Sequence, residues 1–296
     1  MGIALGLGAA LLWGLADYFA AVASRRRGAL RVVLGFHLAS LVPLTALVLA
    51  TGGLGRINVA EVAVLVVVGA FGWVSYLAFY GALAIGPISV LSPIVSGYAA
   101  VTVLLAVVIA GDRLSVVQAV AVAITIAGAI VASADVRAIA HARLERRSAL
   151  GVLLALAAMA LLGAFVFGVS YYRARAGWLG PIFLARGFAT VFLLGHVLIR
   201  GAQPGETEAG SAGPARRWAS PAAISALLAL VDTGGYVCFN LGVGHAQAAV
   251  VAAASAPCAT VPIIMGVSLF GERPTPTQWL GVGLVIAGVV VLGVVA

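Results

Sequence analysis

Apolar residues run through this chain in blocks of about twenty, with polar residues confined to the stretches between them. A helix crossing the hydrocarbon core of a bilayer needs about twenty apolar residues. The blocks therefore predict ten membrane spans, at 2-24, 30-50, 60-83, 86-110, 115-134, 149-171, 180-200, 220-243, 246-270 and 276-296. Most connections are very short, as at Gly111-Asp112-Arg113 and Gly271-Glu272-Arg273-Pro274, which makes consecutive spans antiparallel neighbours. Two are longer. Asp135 to Arg147 is basic and divides the chain near its midpoint, and Gly201 to Ala219 reads as a mobile surface loop rich in Gly, Ser, Pro, Glu and Arg. The first apolar block starts without a basic leader and extends to Ser24, so it is expected to stay attached as the first helix. The expected fold class is an all-α integral membrane protein.

The midpoint linker prompts a search for an internal repeat. Gly111-Asp112-Arg113-Leu114 and Gly271-Glu272-Arg273-Pro274 lie 160 residues apart, and at that offset Gln118 matches Gln278 and Ala127-Gly128 matches Ala287-Gly288. Upstream the offset falls to 158, pairing Leu83 with Leu241 and Gly86 with Gly244, and then to 149, pairing Gly14 with Gly163 and His37 with Arg186. These matches divide the chain into a first five-helix unit at 1-137, a basic linker at 138-147 and a second five-helix unit at 148-296. An odd number of spans per unit sends the second copy into the membrane from the opposite side, an inverted repeat of the kind that carries a midplane site and alternating access.

The Gly-acid-Arg turn, the Gln that follows it and the closing Gly-Val-Gly-Leu-Val-Ile-Ala-Gly-Val together resemble the EamA-type repeat of the drug/metabolite transporter superfamily. The resemblance is strongest over 76-131 and 236-292 and extends to Leu11-Leu12-Trp13-Gly14 near the start. It implies transport of small metabolites, often export of amino acids or related compounds. The first copy departs from the pattern with Asp112 in place of the usual glutamate, and it has Gly97 where the second has Pro257.

Composition identifies the solvent. Of 296 residues, 63% are hydrophobic and 9% charged, with a mean hydropathy of +1.17. A soluble protein would need a larger polar shell. The net charge is +8, and all seventeen basic residues are arginine, placed between apolar blocks and not along a stripe. That distribution argues against nucleic acid and for loops facing anionic lipid. Twelve arginines fall in loops after odd-numbered spans, against Arg56, Arg113, Arg173 and Arg175 on the other side. The positive-inside rule then puts both termini outside a plasma (inner) membrane, although many relatives are thought to keep theirs in the cytoplasm. Cys238 and Cys258 both lie in apolar blocks and read as buried bystanders.

Candidate chemistry resides in the few polar residues inside spans. Asp17 and Asp232 each cost at least about 2.5 kcal/mol at such depth on insertion scales. Pairing of Asp232 with Arg186, the one arginine clearly within a span, would compensate, as would protonation of either aspartate; Asp17 could instead contact Arg25. Trp73, Tyr76 and Tyr80 share a helical face, as do Asp232, Tyr236 and Asn240, and Trp13 stands one turn from Asp17. Aromatic rings with polar tips suit a cavity for an amphipathic solute, with an interfacial aromatic belt as the alternative. His37, matched to Arg186 by the repeat, could face the same path or act in packing. Pro93, Pro257 and Pro262 remove backbone donors and mark gating elements or static kinks. Gly281, Gly283 and Gly288 suit close helix packing, including a homodimer contact.

The resulting expectation is a secondary transporter that moves a small organic metabolite, an amino acid or related compound, by alternating access, in the direction of export and with proton coupling open to the two aspartates. No cofactor and no metal site are expected. The alternatives are a non-coupled facilitator or exchanger of nucleosides, sugars or drugs, and a non-transporting lipid-binding membrane subunit. No Walker A stretch occurs, which argues against ATP machinery, and an intramembrane enzyme is disfavoured because no Gly-x-Ser-x-Gly, His-Glu-x-x-His or clustered acidic metal site occurs.

Overall fold

The computed structural model describes residues 1–85, 88–133, 146–200, 220–261 and 276–295. Every regular element among them is helical, as lipid requires of backbone groups that cannot reach water. In chain order these are α1 (Gly2–Arg27), α2 (Ala29–Thr51), α3 (Val59–Ile85), α4 (Ile88–Ser96), α5 (Tyr98–Leu105), α6 (Val116–Ser133), α7 (Arg146–Tyr171), the single turn α8 (Arg173–Ala176), α9 (Gly180–Arg200), α10 (Pro221–Val243), α11 (Ala248–Ser255) and α12 (Pro276–Val295). Among the described residues, six helices are long and apolar enough to cross a membrane: Gly2–Arg27, Ala29–Thr51, Val59–Ile85, Leu150–Tyr171, Gly180–Ile199 and Pro221–Val243.

The other expected spans are shorter or interrupted. The block expected at 86-110 is two helices broken at Gly97, and a π-helical segment, Ala106–Ala110, follows α5. The block expected at 246-270 begins as α11 and tightens into a 3-10 segment, Ala256–Ala259, that contains Pro257. Both breaks have local causes: glycine costs about 1 kcal/mol in a helix interior, and proline removes an amide donor. Residues 138–145 of the basic linker, the loop at 201–219 and the turn at 271–274 lie outside the described residues, while Arg146 and Arg147, expected in the linker, open α7.

Helix contacts come in matched sets. α1 packs on α10, and α3 on α7. α2 also packs on α10, and α9 on α3. α11 packs on α1, and α5 on α7. α6 and α12 pack mainly on each other at the side of the bundle. Two glycines permit close approaches to the interrupted helices. A Cβ on Gly14 of α1 would stand 2.5 Å from the Cβ of Val261, and a Cβ on Gly163 of α7 would stand 2.5 Å from that of Val101. Real side chains do not approach so closely, so both positions require glycine as long as the helices stay where they are. The outward faces carry exposed Leu, Val and Ile, for example Val42, Leu49 and Leu198, as a lipid-facing surface would.

Candidate functional site

The helices that carry the site start from well-made caps. In α3, Asn58 and Glu61 form a reciprocal capping box: the Asn58 amide donates to Oε2 of Glu61 at 3.0 Å, and the Glu61 amide donates to Oδ1 of Asn58 at 2.9 Å. In α10, Pro221 occupies the first turn and the Ser220 hydroxyl accepts from the Ala223 amide at 3.2 Å. About three turns further in, α10 presents Asp232 to the centre of the bundle.

Asp232 is buried and both of its carboxylate oxygens are engaged. Tyr76 donates its hydroxyl proton to Oδ1 at 2.9 Å, and Arg186 donates from Nη2 to Oδ2 at 2.5 Å. The Tyr76 oxygen in turn lies 3.3 Å from the Tyr236 hydroxyl and 3.4 Å from Nη2 of Arg186. With its own proton given to Asp232, it accepts from both. Trp13 donates its indole N–H to the Asp232 backbone carbonyl at 3.3 Å. α1, α3, α9 and α10 are thus tied together around one aspartate.

Arg186 is 1% exposed, and its guanidinium lies against the rings of Phe36, Tyr76 and Tyr236 at 4.8, 5.0 and 5.5 Å. Such contacts favour a desolvated cation, while Asp232 supplies the opposite charge that burial demands. Nε and Nη1 of Arg186 have no hydrogen-bond partner among the described residues. His37 lies beside this pair, its ring edge-on to Tyr76 at 5.1 Å. Its Nδ1 is 3.0 Å from the Val33 carbonyl, so Nδ1 carries the proton and Nε2, which has no partner among the described residues, is left as an acceptor.

Next to the ion pair is a cavity. Trp13, Asp17, Tyr76, Tyr80, Asp232 and Tyr236 line it, together with Phe79, Ser96, Tyr98, Leu162, Val166 and Cys258. It holds about 30 Å³ of water-sized space, room for about two water molecules, so a metabolite would need it wider. Asp17 forms no hydrogen bond or ion pair among the described residues; Arg25, its suggested partner, instead donates from Nε to the Leu83 carbonyl at 3.1 Å. Both helix breaks border the cavity, through Ser96 and Tyr98 on one side and Cys258 on the other. Tyr98 and Ser255 bridge the breaks with hydroxyls 3.2 Å apart.

Six of the ten residues expected at a cavity line this one. Arg186 and His37 sit behind its wall. Trp73 packs away from it, against Phe192 and His196 of α9 at 5.9 and 5.8 Å. Asn240 is buried further along α10, with neither side-chain atom bonded among the described residues. Pro93 belongs to α4 and Pro257 to the 3-10 segment, while Pro262 lies outside the described residues. Tyr98 and Phe36 carried no periodic signal that would have singled them out, and Cys258, read as a bystander, faces the cavity. Neither cysteine is in a disulfide. Among the described residues no group of three or more His, Cys, Asp or Glu could hold a metal ion.

The EamA-like transporter family matches the chain twice, over residues 1–134 and 149–294. The chain belongs to the EamA-like transporter family. It is accordingly a multi-pass membrane transporter of the drug/metabolite superfamily, with a small-molecule substrate and a lipid bilayer around it. One of the solved crystal structures similar to this EamA-like chain shares 18% identity with it, with a TM-score of 0.68 over 100% of this chain and 98% of the other. That likeness shows the fold. Among curated proteins there is no significant match.

Proposed function

We propose that the chain is a secondary transporter of a small organic metabolite, an amino acid or related compound, working by alternating access about the cavity beside Asp232. The observation that carries this reading is an acidic, aromatic-walled cavity enclosed between the two family-matched segments: Trp13 and Asp17 come from the first, and Leu162, Val166, Asp232 and Tyr236 from the second. At the repeat offset of 149, Trp13 corresponds to Leu162 and Asp17 to Val166, so equivalent positions of two halves meet at one site.

The matched helix contacts, the matched glycines at 14 and 163 and the breaks at Gly97 and Pro257, 160 residues apart, support two inverted five-helix units with ten spans in all. Interrupted helices at corresponding places in two halves are a sequence-level pointer to a transporter's binding site. The helices that carry Pro93 and Pro257 are the gating elements in this reading, and Asp17 or Asp232 is the proton-accepting group. Export across a plasma membrane is the direction in this reading, and the arginine distribution favours both termini outside.

Reconstituted vesicles loaded with a pH-sensitive dye test the coupling. Addition of a transported solute should move protons, and Asp17→Asn or Asp232→Asn should remove that signal. Solute flux without proton movement would mean a facilitator or exchanger instead.

A further inference from the structure

We propose that the cavity selects a small organic cation, held by an aromatic cage with the Asp17 carboxylate as its counter-ion. This rests on the transporter reading and narrows its substrate class from an amino acid to a related amine that lacks the carboxylate.

Six rings line the cavity: Trp13, Tyr76, Phe79, Tyr80, Tyr98 and Tyr236. They meet edge to face. Trp13 stands at 65° to Tyr236 and at 81° to Tyr98, with centroids 4.9 and 5.9 Å apart, and Tyr76 stands at 78° to Tyr80 at 6.0 Å. Rings so inclined form the walls of a cage and not a flat stack. Aromatic faces carry negative potential and attract ammonium groups, most strongly where water is excluded.

The charges on the wall point the same way. Asp17 and Asp232 line the cavity, and no Arg or His is among the described lining residues. The nearby cation, Arg186, is behind the Tyr76 and Tyr236 rings and is already bonded to Asp232. Both Asp232 oxygens are occupied, by Tyr76 and Arg186, whereas Asp17 has no bonded partner among the described residues. The chain that continues from Val261, residues 262–270, contains no charged residue that could neutralise it. Among the described residues the cavity therefore holds one carboxylate without a counter-charge, Asp17. An ammonium group completes that ion pair, whereas a substrate carboxylate would face Asp17 with no cation among the described lining residues to offset the repulsion.

A matched series that varies only in charge tests the proposal: phenethylamine, phenylalanine and 3-phenylpropionate all require the same widening of the cavity. Binding is measured by titration calorimetry on the purified full-length chain. Phenethylamine should bind at least about tenfold more tightly than phenylalanine, and 3-phenylpropionate should not bind. Asp17→Asn should weaken amine binding by about tenfold or more, while Asp17→Glu, which keeps the charge, should retain it; a melting curve for each variant reports folding independently. Tightest binding of phenylalanine or 3-phenylpropionate, an unchanged affinity in folded Asp17→Asn, or no binding of any of the three would each overturn the cation assignment. Flux of amino acids, nucleosides or sugars through vesicles containing the same preparation would then leave the transporter reading standing, and absence of all flux would remove both.

Discussion

Asp232 and Arg186 form an ion pair in the interior of the bundle, 2.5 Å apart with side chains 7% and 1% exposed. Removing one member of such a pair leaves a buried charge without its partner and typically costs about 3–5 kcal/mol, whereas replacing both with apolar residues of similar volume is often nearly neutral. Thermal unfolding in detergent should therefore show large losses for Arg186→Met and for Asp232→Leu, with much of the stability regained when the two are combined. Additive losses in the double variant would show that the pair is not coupled.

The Tyr76 hydroxyl joins α3 to the same carboxylate. Tyr76→Phe removes a hydrogen bond to a charged group, worth about 1.5–3 kcal/mol, and also takes away the acceptor for Tyr236. A lower melting temperature than wild type and reduced transport are expected. Tyr236→Phe removes only a donor from the end of the hydrogen-bond chain and should cost less. The reverse ranking in paired melting curves would contradict donation from Tyr236 to Tyr76 and from Tyr76 to Asp232.

Asp112, of the repeated Gly-acid-Arg turn, serves a helix in the other half of the chain. Its Oδ2 accepts from the Ala249 amide at 3.1 Å, in the first turn of α11, and the Gln247 side chain donates to the Arg113 carbonyl at 3.1 Å. Loss of an N-terminal cap costs about 0.5–2 kcal/mol. Asp112→Ala should be destabilised by that amount in equilibrium unfolding, and Asp112→Asn, which keeps an accepting oxygen, by much less. Equal losses in the two would remove the capping role.

Gly14 and Gly163 set the approach of α1 and α7 to the broken helices. Overpacking at such contacts costs about 1–3 kcal/mol. Gly14→Ala and Gly163→Ala should each lower stability, whereas Gly283→Ala, with no atom of the described residues within 4 Å of the added carbon, should leave the melting temperature unchanged. A harmless substitution at Gly14 would mean that the helices stand further apart.

Much of the helical layout could be read from hydrophobic block length, because lipid leaves few other solutions for the backbone. The Asp232–Arg186 pair was also legible, since a carboxylate at that depth needs compensation and one arginine lay within a span. Periodicity placed Tyr76, Tyr80 and Tyr236 on faces, and those faces do meet at the cavity. It placed Trp73 and Asn240 on the same faces with equal force, yet they face other neighbours. One-dimensional spacing defines a helix face but not the element that covers it. Tyr98 and Cys258 reach the cavity because the helices break beside them, and a single glycine or proline among many does not announce a break. The Asp112 turn stood out in the sequence, but its role as a cap depends on a contact 137 residues away in sequence.

The central claim is a cavity that opens to each side of the membrane in turn, and Cys258 on its wall offers a native probe that needs no knowledge of the substrate. In a Cys238→Ala background, a small membrane-impermeant thiol reagent would be added to sealed vesicles of either orientation, and modification of Cys258 followed by mass spectrometry. Alternating access predicts labelling of Cys258 from both sides. Labelling from one side alone, or from neither, would contradict it.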